Sequence, residues 1–139
     1  MEVVLPVDAG SAWAALVEWE RQPEWMVDAA SVRVVSDRRV GPGVRIAVRT
    51  RILGVPALTD VLDVTEWDPP RRFVMARSGF VRGRGAWELA PAQRGTVFRW
   101  SEDIRLPIPV LGELALLLYR PVMRRLMRRS LRNLAAQLE

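Results

Sequence analysis

The chain contains no cysteine and no histidine. That excludes disulfides, zinc sites of Cys or His type, thiol nucleophiles and Ser-His triads. Lysine is missing too, since all 21 basic residues are arginine, so no side-chain Schiff base can form. Tyr119 is the single tyrosine. Catalysis, if present, must rest on carboxylates, arginine, hydroxyls or backbone dipoles, without the commonest proton shuttle. No metal site and no cofactor are expected. Long apolar runs are also scarce. The richest, Pro109 to Tyr119, carries Glu113 and is too short to span a bilayer, so it reads as a buried helix. Glu2 stands where a secretory leader would be basic and no apolar stretch follows, which makes the cytoplasm the expected location.

What is present suits one folded domain spanning 1–139: half the residues are hydrophobic and 27% are charged. No repeat, low-complexity linker or break in composition divides it. The net charge is +5, but the 16 acids are interspersed with the arginines, so charge alone names no partner.

Glu2 to Val7 is a short β-prone run. Asp8 can cap a helix whose Trp13, Leu16 and Val17 share one face, and Pro23 ends or kinks it before a second helical piece at Pro23–Met26. From Ala30 the period becomes two. Gly41-Pro42-Gly43 marks a turn, and the next strand alternates Val44, Ile46, Val48, Thr50 and Ile52 against Arg45, Ala47, Arg49 and Arg51. Gly54-Val55-Pro56 turns into Leu58–Trp67, Asp68-Pro69-Pro70 turns again, and strands follow at Phe73–Ser78, Val81–Leu89 and Thr96–Leu106. The last segment is helical. Tyr119, Val122, Met123, Leu126, Met127, Ser130 and Leu134 project to one side, and Arg124, Arg125, Arg128, Arg129 and Arg132 to the other, with a kink or break expected at Pro121. Antiparallel strands with helices gathered on one face make an α+β domain.

Five phrases in this order resemble a known family: Pro23-Glu24-Trp25-Met26, Gly41-Pro42-Gly43, Val64 to Arg72, Trp87-Glu88-Leu89 with Gly95-Thr96, and Arg129 to Leu134. Across the whole chain the pattern is similar to the START/Bet v 1-like (SRPBCC) superfamily, in its polyketide cyclase/dehydrase and lipid-transport branch. The resemblance implies a helix-grip fold: a curved seven-stranded antiparallel sheet wrapped around a long C-terminal helix, two short helices between strands 1 and 2, and a cavity between sheet and helix. It does not imply a particular activity.

Strand phase then suggests which side chains face the cavity. Pairing the last two strands sets Trp87 opposite Trp100 and Gly85 opposite Glu102, with Phe98 on the same face and Gly83 and Gly85 either leaving room for a ligand or relieving sheet curvature. The earlier hairpins set Thr50 opposite Asp60, Val48 opposite Leu62, and Arg77 opposite both Leu62 and Gly83. Asp60 and Arg77 then become diagonal neighbours able to pair inside. Glu102, Arg77 and Asp60 are the candidates for proton transfer or for polarising a carbonyl. Met26, Thr50, Met75, Met123, Met127 and Tyr119 are candidate ligand contacts, and Trp25, where the short helices of this fold are expected to meet the open end of the grip, is either a gate to the cavity or a packing anchor.

Three functions fit. The first is binding of a hydrophobic small molecule such as a lipid, isoprenoid or polyketide-like compound. The second is a cyclase, aromatase or dehydratase acting on a bound poly-ketone chain. The third is an interaction module using the arginine face of the last helix, in peripheral contact with anionic headgroups, RNA or an acidic carrier protein. No aromatic residues interleave that arginine run, so nucleic acid is not the expected partner. Monomer and homodimer are both compatible with the sequence.

Overall fold

A computed structural model describes residues 1–139. Strand β1 (Glu2–Leu5) leads into helix α1 (Ala9–Leu16) and a 3₁₀ helix (Trp19–Glu24). Strands β2 (Ala29–Val34), β3 (Arg45–Ile52), β4 (Val55–Asp68), β5 (Arg72–Ser78), β6 (Arg82–Ala92) and β7 (Gly95–Arg105) follow, and helix α2 (Leu111–Gln137) closes the chain. The seven strands form one antiparallel sheet in the order β1-β7-β6-β5-β4-β3-β2. This is the helix-grip arrangement, with the short helices between the first two strands.

Local chemistry accounts for the short helices. The Asp8 carboxylate accepts from the Ser11 backbone N–H at 3.3 Å and from the Ser11 hydroxyl at 2.6 Å, an N-cap that starts α1. Trp13 and Leu16 are buried, and Gln22 donates to the Leu16 carbonyl at 3.0 Å, tying the 3₁₀ helix back to the end of α1.

Helix α2 is held by its C-terminal half. Ser130, Leu131 and Leu134 are buried, the Ser130 hydroxyl accepts from the Val27 N–H at 2.9 Å, and Asn133 donates to the Trp25 carbonyl at 3.3 Å. The arginines at 124, 125, 128, 129 and 132 are all exposed. Of the kink or break expected at Pro121, there is no break: the helix runs through it. It and Leu117, whose carbonyl it cannot meet, both lie on the exposed side, where water can satisfy that group.

The core is concentrated at one end. Trp13 packs edge-on to Trp67 and Phe73, with centroids 5.0 and 5.2 Å away, Phe73 meets Trp87 at 5.0 Å, and Trp87 meets Trp25, Phe98 and Trp100 at 5.6 to 5.7 Å. These large rings fill the space under the C-terminal half of α2. The N-terminal half has no such filling, and the run from Pro109 to Tyr119 is not the buried helix it was expected to be: Leu111, Leu114, Leu117 and Leu118 are exposed. Only the opposite face, with Leu116 and Tyr119, is half-buried, because it looks across open space at the sheet.

Two further expectations need correction. The turn between β3 and β4 is Leu53–Gly54, both at positive φ (51° and 85°), so β4 begins at Val55 and includes Pro56. The register is therefore two residues from the expected one, with Val48 opposite Asp60 and Thr50 opposite Leu58. A shift of two preserves the faces, so Thr50 and Asp60 stay on the inner side as diagonal neighbours. The ladder also slips between Thr50 and Arg51. Arg51, expected on the outer face, is half-buried there and donates to the Val27 and Ala29 carbonyls at 3.3 and 3.1 Å.

Candidate functional site

The unfilled half of the grip is a cavity of about 420 Å³, within the usual span for small-molecule sites. Its walls are apolar: Ile52 and Leu58 from the β3–β4 hairpin, Phe80 and Val81 from the β5–β6 turn, Ile104 and Leu106 from β7 and its exit, Ala115 and Leu116 from α2. The inner end is polar. Asp28, Thr50, Arg51, Asp60, Arg77 and Glu102 gather there, with Tyr119 and Met123 facing them from the helix.

Arg77 is the centre of this cluster. It sits on β5 opposite Leu62 and Gly83, the register its strand pattern implied, and its guanidinium bridges two carboxylates. It donates to Asp60 Oδ2 at 3.0 Å and to Glu102 Oε1 at 3.2 Å. Asp60 is 3% exposed and also accepts from the Thr50 hydroxyl at 3.2 Å. Glu102, opposite Gly85, takes the Trp100 indole N–H at 3.2 Å. Each buried charge is thus paired and hydrogen-bonded, the condition under which burial is tolerable. A guanidinium has five N–H donors, so these two bonds leave Arg77 capacity to donate to a third partner.

A third carboxylate, Asp28, was not singled out by the sequence. It belongs to the short connection before β2, where no periodicity assigns a direction to the side chain, and only the closing of the sheet brings it to Arg77 and Glu102. Burial pushes its carboxyl above the ordinary value, the neighbouring Glu102 charge pushes it further, and Arg77 opposes both. A carboxyl that binds its proton more tightly folded than unfolded supports the fold in acid, and that support is lost as pH rises from about 3.8 through the raised value. Asp28→Asn removes the titration. Relative to the parent chain, its stability should therefore increase steadily over that interval. Urea unfolding of both proteins from pH 4 to pH 8 measures the difference, and parallel curves would place Asp28 in solvent.

The other candidates divide by location. Thr50, Tyr119 and Met123 line the main cavity. Met26, Met75, Gly85, Trp87 and Trp100 line a recess of about 30 Å³ behind Arg77 and Glu102, large enough for little more than a water molecule. Met127 lines a side opening with Met1, Ser101 and Arg120. That opening lies beyond the last pairing of β1 with β7, where the Trp100 N–H donates to the Met1 carbonyl at 2.8 Å and the Met1 amino group to the Trp100 carbonyl at 3.0 Å.

Three residues line none of these spaces. Phe98 is fully buried core. Trp25 is also buried, wedged against Trp87 and Trp100 beneath the C-terminal half of α2, so it anchors the closed end rather than standing at the mouth. Gly83 has φ 138°, and a Cβ there would lie 1.8 Å from the Asp103 carbonyl oxygen. It permits close strand approach and leaves no room for a ligand. Gly85 does leave room, since a Cβ would meet the Glu102 side chain at an ordinary 3.7 Å. The apolar wall at the mouth was not singled out from the sequence either, although Phe80, in a turn after Gly79, was the available signal.

No group of three or more acidic residues is gathered closely enough to hold a metal ion. No helix is long and apolar enough to cross a membrane.

The fold is shared with several solved structures. A START superfamily protein from Mycobacterium smegmatis superposes with a TM-score of 0.80 at 12% identity, covering 100% of this chain and 97% of that one. A protein from Thermus thermophilus gives 0.81 at 20% identity, over 99% and 94% of the two chains. The di-domain ARO/CYC StfQ of the steffimycin biosynthetic pathway gives 0.76 at 19% identity, over 99% of this chain and 49% of its own. No curated protein matches the chain. The family described as polyketide cyclase / dehydrase and lipid transport matches residues 1–139. With that match running from the first residue to the last over a helix-grip fold, the chain belongs to the polyketide cyclase/dehydrase and lipid transport family.

Proposed function

We propose that this protein binds an elongated hydrophobic small molecule carrying an oxygen function at its inner end. The observation that carries the reading is the polarity gradient of the cavity: apolar walls toward the mouth, and one buried arginine between carboxylates at the far end. The walls favour an apolar body by releasing water. Placed polar groups then fix the orientation. Arg77 is the donor for a ligand carbonyl or hydroxyl, and Tyr119 is a further donor at the same end. Lipid, isoprenoid and polyketide-like compounds all meet this description.

Asp28 favours a second reading, in which the bound molecule is a poly-ketone chain and the site catalyses its cyclisation or dehydration. A carboxyl that burial pushes above its ordinary value, beside an arginine that can polarise a carbonyl, has the parts of a general-acid site. The cavity would supply orientation by confining the chain.

Native mass spectrometry of the purified protein, followed by organic extraction, separates these possibilities from an empty grip. A stoichiometric apolar compound is expected, and a long-chain ketone or fatty alcohol should bind at least tenfold more tightly than the alkane of equal length. Equal affinity for the two would remove the polar end from the reading. An empty protein that ignores hydrophobic probes would remove the cavity as well.

A further inference from the structure

The apolar side chains left outside the core are not scattered. Thirteen large ones are exposed, and nine of them fall in three short segments: Leu53 and Val55, Phe80, and six residues between 108 and 118. In an antiparallel sheet the ends of β3, β5 and β7 lie at the same end, so the β3–β4 turn, the β5–β6 turn and the β7–α2 loop are brought together. They surround the mouth of the cavity, whose walls include Ile52, Phe80 and Leu106. Contiguous exposed apolar surface of this kind marks an interaction site.

Backbone strain is confined to the same rim. The only two non-glycine residues at positive φ are Leu53 (51°) and Val110 (64°). They are also the two most exposed of these apolar side chains, at 76% and 74%. Glycine or asparagine would adopt these angles freely, and a β-branched valine there is a steric outlier. At both tips the chain holds an apolar side chain outward at a conformational cost.

The rim is cationic as well. Arg82 and Arg105 are exposed and directly opposite each other on β6 and β7. Like charges in that position repel unless an anion lies between them, and Asp103 reaches Arg105 at only 3.9 Å. Arg84 and Arg120 are exposed nearby, against Asp103 and Glu113 as the acids. A second copy of this rim would bring the same positive charge face to face. A surface with an apolar interior and anionic headgroups complements both properties.

We infer that the mouth of the cavity docks on anionic lipid bilayers, with Leu53, Phe80, Val110 and the exposed leucines of α2 entering the acyl region and Arg82 and Arg105 meeting lipid phosphates. Docking in this pose sets the opening against the membrane, so an apolar molecule can pass between bilayer and cavity without crossing water. The surface is distinct from the arginine face farther along α2.

Vesicle co-sedimentation of the full chain tests this, using phosphatidylcholine alone and phosphatidylcholine with about a third phosphatidylglycerol. Binding is expected only to the anionic vesicles and should weaken in roughly 0.5 M salt. Leu118→Glu and Val110→Ser lie on exposed positions and should leave the thermal midpoint unchanged while weakening binding on the order of tenfold each. Arg82→Gln and Arg105→Gln should each cost roughly fivefold. Absence of binding would overturn the inference. So would binding that survives Leu118→Glu but is lost when arginines 124, 125 and 128 are replaced, which would move the contact to the other helix face. A dimer in sedimentation equilibrium that Leu118→Glu dissociates would assign the rim to a second copy instead.

Discussion

Arg77→Met is expected to lower the stability of the fold by about 3–5 kcal/mol and to abolish oriented ligand binding. The side chain is 18% exposed and the side chains of its partners Asp60 and Glu102 are 4% and 12% exposed, so screening by solvent is limited. Methionine fills much of the same volume, and the loss therefore comes from charge: two buried carboxylates are left facing each other, with Asp28 beside them. The deficit should narrow when Asp60→Asn and Glu102→Gln are added, because of the three neighbouring carboxylates only Asp28 then remains. Urea unfolding of the single, double and triple variants gives the coupling directly. A loss under about 1 kcal/mol for Arg77→Met, with no recovery in the triple variant, would mean that the cluster is hydrated, and the polar end of the proposed site would go with it.

The second large effect is expected at Gly83. Replacing it with alanine puts a methyl 1.8 Å from the Asp103 carbonyl oxygen on a backbone at φ 138°, so the β6–β7 pair must separate or rotate. A loss of roughly 3 kcal/mol or more is expected. Gly85→Ala, two residues away on the same face, should cost less than about 1 kcal/mol, because its methyl meets the Glu102 side chain and the Ser101 carbonyl oxygen at an ordinary 3.7 Å. Its effect should fall on the polar end of the site, since the methyl sits against the Glu102 side chain that Arg77 holds. Thermal unfolding of the two variants side by side decides it. Similar losses at both positions would show that neither strand approach nor recess space distinguishes them.

These two glycines show where reading from the sequence stops. Alternation along β6 and β7 placed both on the inner face, and the pairing of Trp87 with Trp100 followed from matching like faces. Alternation carries no information about how closely two strands approach, so it could not tell a glycine that closes a gap from one that opens it. The Asp60–Arg77 pair was legible for a related reason. Its inner-face position survives a two-residue register error, because the side-chain period is two. Arg51 was not legible, because a slip in the ladder beside it breaks the alternation on which its assignment depended.

The sequence by itself determined the order of elements, the inner and outer faces of most strands, the amphipathic C-terminal half of the last helix and the absence of thiol, imidazole and lysine chemistry. These are local properties, set by periodicity, turn residues and composition. Only the tertiary structure decided that the aromatic rings fill one end of the grip and leave the other open, that Trp25 belongs to the closed end, and that Asp28 joins Arg77 and Glu102. The exposure of the leucines from 111 to 118 was likewise settled there. Each of these depends on which distant segments share a volume, and an apolar run reads the same whether it meets a core, a ligand or a membrane.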